Sequence, residues 1–205
     1  MNIKNLPLFL LTIVLAGCGN FDLNIKIPVS LHPLYTDKEI TFDQRLLGNW
    51  KMGDSNSIVR FENPCENSYE IFLTEQGHTI MAFDAHLLKL DNKLYLDISP
   101  AILDANSDKP PNPLFLPTHM LMKIKAIDPN LQVQLFFPKE LEKDPNLLKN
   151  ETISSFIVLT ASTKELQNFI KSHTDDEALF GEPLVLERLM SDKTPDCNNT
   201  DSNRP

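Results

Sequence analysis

The sequence predicts a mainly β chain: one antiparallel barrel of eight or nine strands, with a single helix in the C-terminal half. Three observations lead there. Short runs of alternating apolar and polar residues recur from residue 57 to residue 189, with turn signals between them. Prolines number 15 and glycines 6, a loop-rich composition that suits many short strands better than long helices. Only one segment carries a full helix signature, the capping box Ser162-Thr163-Lys164-Glu165 followed by the apolar stripe Leu166, Phe169 and Ile170.

The chain opens with the parts of an export signal. Lys4 supplies a positive start, and Leu6 to Leu15 form an apolar core interrupted only by Pro7 and Thr12. That run is far shorter than the roughly 20 residues a spanning helix needs. Leu15-Ala16-Gly17-Cys18 follows and resembles the lipobox of bacterial lipoproteins at all four positions. The resemblance implies a diacylglycerol on the Cys18 sulfur, cleavage before Cys18 and acylation of the new amine. Each buried CH₂ contributes about 0.8 kcal/mol, so two or three chains hold a protein on a membrane stably. Gly19-Asn20 lacks the aspartate that typically retains such lipoproteins at the inner membrane, so the expected place is the outer membrane, facing the periplasm. The expected organisation is therefore a signal peptide over 1–17, a lipidated tether over 18–40, a barrel-like domain over 41–190 and a polar tail over 191–205.

Two cysteines remain once Cys18 carries lipid. Cys65 sits in the polar loop Asn63-Pro64-Cys65-Glu66-Asn67 and Cys197 in the polar tail. An oxidising compartment favours a disulfide between them. The loop it would close exceeds 130 residues, for which chain entropy allows at most about 4 to 5 kcal/mol.

The elements follow in order. In the tether, Lys26 to Tyr35 runs extended until Leu34 and Tyr35 meet the domain. Residues 57–62 place Val59 and Phe61 on one face, and 69–73 group Tyr69, Ile71 and Leu73. A long strand over 79–90 reaches the turn Asp91-Asn92, where both residue types tolerate positive φ. The return strand 93–98 sets Leu94, Leu96 and Ile98 against Lys93, Tyr95 and Asp97. Residues 99–117 are a proline-rich excursion. Strand 119–127 opposes Met120, Met122, Ile124 and Ala126 to His119, Lys123 and Lys125. Ile127-Asp128-Pro129-Asn130 reads as a type I turn. Strand 131–137 turns Leu131, Val133, Leu135 and Phe137 inward, a short helix is a candidate over 139–149, and a strand spans 153–160. After the capped helix, the last strand covers 184–189.

Two further resemblances bear on this domain. Phe42-Asp43-Gln44-Arg45-Leu46-Leu47-Gly48-Asn49-Trp50 resembles the opening motif of lipocalins and other calycins, where Gly-x-Trp begins the first barrel strand and the tryptophan plugs one end. The resemblance assigns those positions to Gly48 and Trp50 and implies that Arg188 packs on the ring as a cation–π partner. The Phe42-to-Gly48 spacing is one residue short of the motif, and the second lipocalin motif is absent. Ser30 to Asp37, Ala85 to Leu90, Leu116 to His119 and Leu159 to Thr163 are similar to segments of uncharacterised bacterial lipoproteins, which implies export and one compact domain but no activity.

Chemistry is sparse. Net charge is −9, or −10 once residues 1–17 with Lys4 are removed, which argues against nucleic acid as a partner. His32, His78, His86, His119 and His173 show no metal-ligand spacing, so neither a metal nor another cofactor is expected. No Gly-x-Ser-x-Gly or phosphate loop occurs, and an enzyme is not expected. Asp84 and His86 share a strand face and could meet His119 if their strands pair. The expected role is binding: Phe83, Met120 and Met122, with His86 and His119, are the candidate contacts for a small apolar ligand in the barrel. The competing expectation is an envelope lipoprotein that docks another protein.

Overall fold

The computed structural model describes residues 27–63, 67–101, 117–137, 141, 146–153 and 156–189. Cys18 with its lipobox, Cys65, Cys197 and most of the 99–117 excursion lie outside the described residues.

The main body is a closed antiparallel barrel of eight strands, a calycin-like barrel as the sequence predicts. Its strands are β3 (Gly48–Met52), β4 (Ser57–Glu62), β5 (Tyr69–Glu75), β6 (His78–Leu90), β7 (Lys93–Pro100), β8 (Met120–Ala126), β9 (Asn130–Leu135) and β12 (Leu184–Arg188). Each pairs with the next from β3 to β9. β12 then lies between β9 and β3 and closes the ring. A two-residue strand, β2 (Ile40–Thr41), adds to β6 beyond its barrel neighbour. The β6–β7 hairpin turns at Asp91 and Asn92 with φ of 46° and 65°, as a two-residue turn of that chemistry demands.

Three further strands form a second sheet. β1 (Ile27–Ser30) runs parallel to β11 (Phe156–Leu159), and β10 (Asn150–Ile153) pairs antiparallel on the other side of β11. Two expectations change here. The single strand over 153–160 is instead two strands, the polar Asn150–Ile153 pairing antiparallel with the apolar Phe156–Leu159. Extended residues 27–30 are not merely a tether; they pair with a strand some 130 residues later. The turn after β8 holds a cis Asp128–Pro129 peptide and is therefore not type I. The helix expected over 139–149 falls mostly outside the described residues.

The helix α1 (Thr163–Ser172) forms where the capping box predicts. Ser162 accepts from the Glu165 N–H, and the Glu165 carboxylate accepts from the Ser162 N–H. Its apolar stripe does not enter the barrel. α1 and the small sheet pack on the outside of β6, β7 and β8, which makes two cores. One fills the barrel with Trp50, Phe61, Leu96 and Leu131 among others. The other buries Leu88, Tyr95 and Leu121 of the barrel's outer face beneath Leu159, Leu166 and Ile170.

This outer layer reassigns residues whose alternation reads as solvent-facing. Tyr95, Asp97, Lys123 and Gln134 are all buried. Lys123 donates to the Thr174 carbonyl at 2.8 Å and lies 4.8 Å from the Phe180 ring, so a cation caps the C-terminal end of α1.

Candidate functional site

One end of the barrel is sealed by residues that precede and begin β3. A 3-10 turn, Gln44–Leu46, is capped by Asp43, whose carboxylate accepts from the Arg45 N–H. The turn lays Leu46 and Leu47 across the barrel end. Trp50 is fully buried beneath them, and its Nε1 donates to the Leu46 carbonyl at 2.8 Å. Tyr69 ties the plug down: its hydroxyl accepts from the Asp43 N–H at 2.7 Å, and burial pushes its pKa up to about 12.

Gly48, Trp50 and Arg188 come together at this end. Arg188 is the register partner of Trp50, and its guanidinium carbon lies 4.1 Å from the indole centroid. Its nitrogens also donate to the carbonyls of Leu47 and Arg45. Gly48 has φ of +111°, a conformation that side chains oppose, and a Cβ there would sit 3.7 Å from the arginine.

Above the plug the barrel is hollow. The cavity measures about 80 Å³ and its lining exposes no polar atom. Phe83, Met120 and Met122 line it, as the sequence predicts. Val133, read from sequence as inward-facing, joins them, as do Met52 and Met81, which were not singled out although each follows an inward neighbour by strand alternation. Such a lining offers water no hydrogen-bond partner. Four of the walls are methionines, whose three rotatable bonds let a void change shape at small cost. The arrangement can accept hydrocarbon, not charge.

His86 and His119 do not share this cavity. They lie on the outer face, where β6 pairs with β7 and places His86 across from Asp97. The Asp97 carboxylate is buried and divides between two donors. One oxygen lies 2.6 Å from His119 Nδ1, and the other accepts from the Leu34 N–H at 2.6 Å. Tyr35 stacks on His86 with ring centroids 4.4 Å apart, and burial holds the His86 pKa below the usual imidazole range. Ser30 and His119 exchange both backbone hydrogen bonds, and Gln167 donates to the Leu34 carbonyl. The Ser30 hydroxyl donates to the His32 carbonyl, not to the imidazole. The cluster therefore works as a clasp that pins residues 30–35 against the barrel. Among the described residues no group of three or more His, Cys, Asp or Glu side chains could hold a metal.

No family model, no curated protein and no solved structure matches this chain.

Proposed function

We propose that this chain is a membrane-anchored lipoprotein whose barrel carries a small apolar ligand. The observation behind the binding half is the apolar cavity: one end of the barrel is plugged by Trp50 and the cavity wall is wholly apolar, with four methionines in it. A protein that only needs a stable barrel gains by filling such a space, because residual voids cost about 24 cal/mol per Å³. At 80 Å³ the unfilled volume forgoes about 2 kcal/mol. An acyl chain or another slim hydrocarbon fits the chemistry, with the methionine side chains yielding to make room.

The anchoring half rests on the export signal and Leu15-Ala16-Gly17-Cys18. It puts the barrel outside the cytoplasm, beside the outer membrane, where apolar molecules need a shielded carrier to cross water.

Native mass spectrometry of protein extracted from its own membrane tests both halves. The expected result is a chain that begins at Cys18 with diacylglycerol and acyl mass on it, and a hydrophobic molecule bound in about 1:1 ratio that organic extraction releases. A chain that starts at Met1 or has an unmodified Cys18 defeats the anchor. An empty barrel that co-purifies with another protein defeats the carrier and favours a docking role in the envelope.

A further inference from the structure

The three-stranded sheet has two unlike faces. Ile157 and Leu159 of β11 point into the core beneath α1 and are buried. The alternate residues turn away. Phe156 is 42 % exposed and Ile153, its direct partner across the β10–β11 pair, is 60 % exposed. Val158 and Val29 continue the same face inward and are partly exposed; Val29 is the register partner of Val158 on β1. Large apolar residues exposed singly are ordinary, but a row across three paired strands is a surface.

The position of this surface relative to the chain's start identifies its partner. β1 begins at Ile27, whose backbone lies in register with Phe156. The chain therefore enters the domain at the edge of the apolar face. From Cys18 to Ile27 there are nine residues, which at fullest extension span only about 30 Å. Lipid on Cys18 holds this face within that distance of a bilayer. The net charge of −10 that remains without residues 1–17 disfavours broad contact with anionic headgroups, so contact through an apolar patch is the form left to it. Glu151, exposed and opposite Val158, sits on the same face two residues from Ile153 and marks where insertion would stop.

We propose that Ile153 and Phe156, with Val158 and Val29 behind them, rest on the bilayer that holds the Cys18 lipid, with the Phe156 ring at the boundary of headgroups and acyl chains. The inference rests on the anchored reading above. It gives the barrel a fixed orientation on the membrane instead of free rotation on a leash.

The test uses the full lipidated chain in phosphatidylcholine vesicles, with and without bromine on the acyl chains. Phe156→Trp adds an indole at the face, and Val185→Trp adds one on the outer surface of β12, 40 % exposed, as a control. Trp50, fully buried at the barrel end, supplies a constant background that the unsubstituted protein measures. The expected result is bromine quenching and a blue shift for Phe156→Trp, and neither for Val185→Trp. If Phe156→Trp stays unquenched on vesicles while mass analysis shows the Cys18 lipid in place, the face is wrong and the anchor survives. A blue shift without quenching means that protein covers the patch and also overturns the proposal. Equal quenching of both variants means no fixed orientation. If Cys18 carries no lipid and the protein leaves the vesicles, the anchored reading fails and takes this inference with it.

Discussion

Arg188 lies over the Trp50 ring across the β3–β12 pair, 4.1 Å from guanidinium carbon to ring centroid, at the seam where the barrel closes. The contact joins the plug to the closing strand. Its guanidinium also donates to two carbonyls of the plug, those of Leu47 and Arg45.

Arg188→Ala should therefore destabilise the fold by about 2 to 3 kcal/mol, combining a partly desolvated cation–π contact with two lost charge-assisted hydrogen bonds. Arg188→Lys should recover less than half, because an ammonium cannot stack and fork at once. Denaturant unfolding followed by Trp50 emission measures both. A loss under 0.5 kcal/mol on the alanine change would contradict the account.

The clasp around Asp97 makes a local prediction. Asp97→Ala leaves the buried Leu34 N–H without its acceptor, a cost of about 1 to 3 kcal/mol, and frees His119. Residues 30–35 should loosen first. Limited proteolysis should then cut near His32 in the variant well before the barrel unfolds, while the unsubstituted chain resists.

Filling the cavity separates carrier from scaffold. Val133→Phe places a ring in the void from the barrel's inner face, where Val133 pairs with Ile124 on one side and Leu184 on the other. If the space serves a ligand, the variant should fold with near-normal thermal stability and lose the bound molecule seen in native mass spectra. Unchanged occupancy would show that the ligand sits elsewhere.

Acid should weaken the helix cap. Lys149 and the Ser162 cap hold the Glu165 pKa at about 2, below its ordinary 4.5. A carboxyl lowered on folding contributes stability above its unfolded pKa, and that contribution drains away as pH falls from about 4.5 toward about 2. Melting temperature should decline across that window, and Glu165→Gln should flatten this part of the decline. Identical slopes in both proteins would refute the assignment.

Much of the barrel could be read from the sequence because its inner face obeys strict alternation: Leu94, Leu96 and Ile98 on β7, Met120, Met122 and Ile124 on β8. The meeting of Gly48, Trp50 and Arg188 was expected from the resemblance to the Gly-x-Trp motif alone; no spacing or alternation in the chain points to Arg188. The outer layer was not legible. Alternation tells which residues share a face, but not whether water or a helix covers that face. Tyr95, Asp97 and Lys123 read as solvent-facing and are buried, because α1 returns over β7 and β8 from forty or more residues downstream. The separation of the candidate contacts, in contrast, follows from alternation itself: Phe83 and His86 lie on one strand, three positions apart, and therefore on opposite sides of the wall.

The barrel's last strand has a consequence for its birth. Arg188 meets Trp50 and Leu186 meets Met52 across separations of 138 and 134 residues, so nothing synthesised before β12 can finish the ring. Until then β3 and β9 both carry raw, unpaired backbone, the template on which strands of separate chains join. A nascent or truncated chain ending before Leu184 should be a sticky half-cylinder that needs escort or is destroyed, and the hazard should end abruptly when five residues slot into the gap.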